Sequence, residues 1–287
     1  MNRKPLYTYL AFAFIPIWTV WILCIWILRL PSAVLVTAAG MWCPALALFL
    51  TDRIHHLHFP WKDVLKPKIK GNGRSYAFAW FMPVVLTFSG MILYFVIFRN
   101  QFDAEFGYLN QQIAAMVQPL TPPTVILITL LQVLTYAPLV NCLLAVGEEL
   151  GWRGFLYPEL RKSFAPLKAH LITALIWSLW HLPINLAGHN YGIQYPGYPF
   201  AGILAMFMFC LSIGILMSLL YEKTGSIWVC AIMHGAVNAA GNMPMIFQKL
   251  SYMNGAYTVL GPALNGMIAG LPVLVLALIL LKKGKQA

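Results

Sequence analysis

The stretch NCLLAVGEELGWRGFLYPEL, Asn141 to Leu160, decides how this chain is read. An apolar run passes directly into Glu148 and Glu149, and Arg153 follows. The chain holds eight Asp and Glu in 287 residues, so two side by side at the end of a membrane-like segment call for a reason. A carboxylate near hydrocarbon is costly unless partnered, and ionisable groups kept there mark functional sites. Glu149 and Arg153 are four residues apart, so on a helix they share a face and can pair. Glu148 is turned about 100° from Glu149 and cannot point the same way. One carboxylate can thus be neutralised while the other faces a cavity.

Working outward, the composition is 60% hydrophobic and 9% charged, with a mean hydropathy of +0.74. Soluble domains carry about 25% charged residues. Apolar runs near the ~20 residues a helix needs to cross a bilayer recur from end to end. These features predict an all-α, polytopic membrane protein, a single transmembrane domain over residues 1–287. Eight spans are expected: Leu6–Leu28, Ala33–Leu50, Tyr76–Phe98, Thr124–Val146, Ala169–Ala187, Phe200–Tyr221, Ser226–Met243 and Tyr257–Leu281. With the N-terminus inside, sixteen of the 19 Lys and Arg fall on the cytoplasmic side, leaving Arg29, Arg99 and Lys249 opposite. That bias predicts an N-in, C-in topology. It also ascribes the net charge of +11 to lipid headgroups, with no nucleic acid as partner. Arg3 and Lys4 precede a run too long for a signal peptide, so a retained first span is expected. The five cysteines form no CxxC pair and predict neither a disulfide framework nor a thiolate metal site. Gly266 and Gly270 in the last span are expected to admit a neighbouring helix.

Three spans hold strongly polar groups. The fourth runs into Glu148, Glu149 and Arg153; the fifth carries IWSLWHLPIN with His181, Pro183 and Asn185; the seventh carries CAIMHGAVNAAGN with His234 and Asn238. His234 and Asn238 are four apart and can aim at one point. Asn185 ranks behind these, because Pro183 disturbs its register with His181. His55, His56 and His58 read as a basic, aromatic surface loop; His170, His189 and Asn190 as interfacial; and Trp177, Trp180 and Trp228 as packing or interface residues. Peptide hydrolysis needs an activated water and donors for the oxyanion. Glu148 can take the proton of a water that His181 holds, His234 and Asn238 can supply the donors, and Glu149 with Arg153 can fix the pair. A zinc version would use Glu148, His181 and His234 as ligands with an open position for water. A transporter would also bury Glu and His, but no inverted repeat or paired broken helix is visible.

On these residues the chain resembles the family named for CAAX proteases and bacteriocin-processing enzymes, also called the abortive-infection family. EELGWRGFLYPEL matches its EExxxR motif, WSLWH its FxxxH with Trp177 in place of Phe, and HGAVN its HxxxN, over about Val140 to Met243. The resemblance implies an eight-helix membrane protease whose core lies at about 124–243. Catalytic roles are implied for Glu148 and His181, oxyanion or binding roles for His234 and Asn238, and support from Glu149 and Arg153. Metal-dependent and metal-free glutamate mechanisms are both argued for such enzymes; the metal-free one is favoured here. The implied substrate is a membrane-associated peptide or lipidated protein, and the implied setting a multi-pass protein in the cell membrane of a prokaryote. The competing reading is a membrane immunity or chaperone-like factor that keeps the fold without turnover.

Overall fold

A computed structural model of the chain describes residues 4–29, 34–253 and 258–284. Among them the ordered backbone is helical, apart from one isolated bridge between Phe102 and Gln248. Helix α1 (Lys4–Trp21) runs on as a π-helix, Ile22–Ile27. It is followed by α2 (Val34–Gly40), α3 (Cys43–His55), α4 (Gly73–Ile97), α5 (Pro122–Leu134) and α6 (Ala137–Gly151). Then come α7 (Pro166–Trp180), α8 (Phe200–Thr224), α9 (Ile227–Ala240) and α10 (Leu271–Gly284). Prolines open α5 and α7, where the first turn leaves backbone N–H groups unpaired anyway. Gly225 closes α8 in a left-handed conformation, φ +60°, with its N–H on the Tyr221 carbonyl at 2.7 Å.

Among the described residues, three helices are long and apolar enough to cross a membrane: Lys4–Ile27, Gly73–Ile97 and Phe200–Thr224. A fourth is obtained if Pro122–Leu134 and Ala137–Arg161, bent by 51°, count as one span. The other expected spans are not continuous long helices. The second is broken by a turn at Met41 and Trp42 between α2 and α3. The fifth and seventh are helices of 15 and 14 residues. The eighth departs furthest. Its described part is turns from 258 to 270, and only the 14 residues of α10 are helical. Gly261-Pro262, Gly266 and Gly270 explain this, since Pro removes a helical N–H and Gly resists ordering. A Cβ at Gly266 or Gly270 would first meet this loop's own backbone. Ala33 and Tyr257, two expected span ends, and Arg3 and Lys285 of the charge count lie outside the described residues.

The packing centres on α9, which lies against α6 and α4, while α8 bridges α7 and α10. Gly235 allows α9 and α6 to touch: a Cβ there would collide with the Pro138 carbonyl and the Cys142 N–H group. Close approach through a small residue is how helices associate where lipid offers no hydrophobic gain. Reciprocal indole bonds tie α1 to α7, Trp18 Nε1 to the Trp180 carbonyl and Trp180 Nε1 to the Ala13 carbonyl, both 3.0 Å. The turn segment 258–270 is stitched to the loop after α7: Thr258 Oγ1 donates to the Tyr191 carbonyl at 2.6 Å, and Tyr191 Oη to the Asn265 carbonyl at 3.0 Å. In the histidine loop, Asp52 accepts the Trp61 indole at 2.8 Å and the Phe59 N–H at 3.1 Å, and His55 Nε2 meets Thr8 Oγ1 at 2.8 Å.

Candidate active site

Two i,i+4 pairs run side by side at the end of α6. Glu149 is wholly buried and takes Arg153, also wholly buried, with Nη1 at 3.1 Å from Oε1 and 3.0 Å from Oε2. Glu148, 2% exposed, accepts the Trp152 indole N–H on Oε2 at 3.1 Å. A π-helical turn, Trp152–Leu156, begins there. Such turns are frequent at functional sites. Trp177 on α7 adds a second indole N–H to the same Glu148 oxygen at 2.7 Å. Its ring carries the Arg153 guanidinium at 4.3 Å, a cation–π contact. Nε and Nη2 of this buried arginine find no hydrogen-bond acceptor among the described residues.

From α9, His234 places Nδ1 at 2.7 Å from Glu149 Oε1, with its ring edge-on to Trp177 at 5.6 Å. At the end of α7, His181 Nδ1 donates to the Trp177 carbonyl at 2.8 Å. A carbonyl can only accept, so the lone pair of a neutral His181 sits on Nε2. Glu148, His181, His234 and Asn238 line one cavity of ≈ 270 Å³. Glu149 and Arg153 lie behind that wall. The arrangement matches the expectation that one glutamate is paired while the other faces a cavity.

The same wall corrects several expectations. His189 and Asn190, read as interfacial, line the cavity along with Asn242 and Asn265. Partial burial lowers the pKa of His189 from the usual imidazole range. Trp177, read as packing, touches Glu148, Arg153, His181 and His234 at once. Asn185 lies just behind the wall and accepts the Asn190 amide at 2.6 Å. His170 is stacked on Tyr157, 3.2 Å from its hydroxyl. The spacing that revealed Glu149–Arg153 also holds for Glu148–Trp152; the Trp177 bond spans 29 positions and has no local signature.

The zinc set does not fit this geometry. Among the described residues no three His, Cys, Asp or Glu side chains converge closely enough to hold a metal ion, in the histidine loop or here. One oxygen of Glu148 is already engaged by two N–H donors.

Residues 124–240 match the family described as type II CAAX prenyl endopeptidase Rce1-like. All six site residues named above from the motifs fall inside that segment. CAAX prenyl protease 2 of Methanococcus maripaludis is 31% identical over 97 residues, 33% of this chain and 36% of that protein. Lysostaphin resistance protein A of Staphylococcus haemolyticus is 27% identical over 140 residues, 49% of this chain and 35% of that protein. The chain thus spans little more than a third of the length of these curated relatives. Its candidate spans and this family together make it an integral membrane protein.

Proposed function

Because this chain belongs to the Rce1-like type II CAAX prenyl endopeptidase family, we propose that it is a membrane endopeptidase that cleaves peptide substrates with a water activated by Glu148 and His181. The observation that carries this reading is the shared cavity: Glu148, His181, His234 and Asn238 arrive from three parts of the chain and line one wall. With Oε2 of Glu148 held by two indoles, Oε1 is the oxygen left to take a proton. His181 Nε2 accepts the other hydrogen of the water and aims its oxygen at the substrate carbonyl. The developing oxyanion is met by the Asn238 amide and by Nε2–H of His234, which donates there as imidazolium. Two carboxylates then face two cations, Arg153 and His234. Glu148 passes its proton to the departing amine.

The substrate in this reading is a membrane-associated peptide, lipidated as in CAAX proteins. The name of the archaeal relative and the family description support that class. The eight-segment, N-in and C-in arrangement belongs to the same reading, supported by the sixteen-to-three charge bias, with a single transmembrane domain in a prokaryotic cell membrane. A second reading, a non-catalytic resistance or immunity factor, draws on the similarity to the staphylococcal protein. Glu148→Gln separates the two. It is nearly isosteric, removes the base, and should abolish cleavage of a prenylated peptide panel while the purified protein keeps its thermal unfolding midpoint. Retained turnover in that variant removes Glu148 as the base. A cellular phenotype that survives Glu148→Gln favours the non-catalytic reading.

A further inference from the structure

The stripe of His234 and Asn238 continues one turn further. Position 242 is again asparagine, just past the end of α9, and it lines the same cavity. Gly241 keeps the helical path, its N–H on the Val237 carbonyl at 2.8 Å. Asn238 and Asn242 are both exposed to the cavity, and neither carboxamide has a hydrogen-bond partner among the described residues. On the same cavity wall, Asn265 Nδ2 lies 3.5 Å from Asn190 Oδ1, and Asn190 is oriented by Asn185 at 2.6 Å. Among the described residues that line it there is no Lys or Arg, and Glu148 is the single acidic one. Two unpartnered carboxamides, Asn238 and Asn242, with the bonded pair Asn190 and Asn265 in the same cavity, suit a ligand that needs a donor and an acceptor and brings no charge.

Spacing identifies that ligand. Positions i and i+4 on a helix are about 6 Å apart along its axis. In an extended peptide, alternate residues present the same face every ~6.6 Å. A strand lying along α9 therefore meets one carboxamide for every two residues. Each carboxamide has the donor and acceptor that a peptide unit complements. We propose that Asn242, with Asn190 and Asn265, forms a subsite for the backbone of an extended, uncharged peptide segment, two residues from the bond held at His234 and Asn238. This rests on the endopeptidase reading above and deepens it; Asn242 lies beyond the segment matched to the family.

The test uses the full-length protein in detergent and a fluorescein-labelled, farnesylated CAAX peptide. Dissociation constants are measured by anisotropy in a Glu148→Gln background, and KM and kcat in the active protein. Loss of one neutral hydrogen bond predicts a roughly three- to tenfold rise in Kd and KM for Asn242→Ala, with kcat within about twofold. The difference should vanish when the peptide is shortened to fewer than two residues on one side of the cleaved bond. Asn265→Ala, on a separate loop, should give the same pattern and serves if Asn242→Ala does not fold. An unchanged Kd, a loss that persists with peptides shortened at either end, or no peptide binding at all overturns the subsite. Binding that depends on Asn242 without any cleavage keeps the subsite and removes the endopeptidase reading; cleavage without that dependence does the reverse.

Discussion

Replacing Arg153 with methionine keeps most of the side-chain volume and removes the charge. Glu149 would then be a wholly buried carboxylate with His234, at 2.7 Å, as its remaining partner. Breaking a buried ion pair from one side costs about 3–5 kcal/mol, because the stranded charge has no water to turn to. The lost guanidinium contact with Trp177 adds about 0.5–2 kcal/mol. A loss of roughly 5 kcal/mol is therefore expected. At about 2–4 °C per kcal/mol, the unfolding midpoint should fall by ~10–20 °C. The double variant Glu149→Gln/Arg153→Met removes both charges and leaves an amide oxygen for His234 Nδ1. It should recover most of the loss, giving a coupling of about 2 kcal/mol or more in a double-mutant cycle. Thermal unfolding in detergent, followed by tryptophan fluorescence, measures both. A single-variant loss below about 1 kcal/mol, or a double variant no better than the single, would refute the claim that this pair is a desolvated unit.

Other expectations can be checked in the same preparation. Trp177→Phe removes a 2.7 Å charge-assisted bond to Glu148, worth about 1.5–3 kcal/mol, and should lower kcat by roughly 10- to 100-fold with the fold intact; unchanged kcat would make the indole a packing group. Asn238→Ala should cut kcat by about 10² with little change in KM if the amide meets the oxyanion, whereas a pure KM effect would place it in substrate binding. Turnover should survive dialysis against a strong chelator, because the acidic and histidine side chains do not converge; loss restored by zinc would show that the ligands rearrange around a metal.

What the sequence disclosed was whatever a helix decides locally. The pairing of Glu149 with Arg153 follows from their spacing, and the separation of Glu148 from Glu149 follows from the angle between neighbouring residues. The three motifs placed Glu148, His181, His234 and Asn238 together, and their side chains do share a cavity. Residues delivered by tertiary packing were not legible. Trp177 reads as an apolar aromatic until its N–H is seen on a carboxylate. His234 was matched with Asn238 along its own helix, yet its Nδ1 is held by Glu149 on another. Asn190 and Asn265 sit on loops whose course depends on the stitching through Tyr191. The last expected span is only partly helical, because hydropathy reports an apolar environment and says nothing of backbone conformation. A loop rich in Gly and Pro, packed inside the protein, carries the same signal as a helix in lipid.

The two side-by-side pairs at the end of α6 bear on how the chain is made. Trp177 and His234, which complete the surroundings of Glu148 and Glu149, are synthesised 29 and 85 residues later. Until they emerge, the segment enters the bilayer with two carboxylates and no partner from elsewhere. Each carboxylate nevertheless has a first donor four residues downstream, Trp152 for Glu148 and Arg153 for Glu149. Those donors are in place as soon as the segment coils. The acids can thus settle at the membrane as a self-contained parcel, with the distant partners added when the later helices dock. By this logic, moving Arg153 or Trp152 to another helix would recreate the finished contacts on paper and still impair insertion.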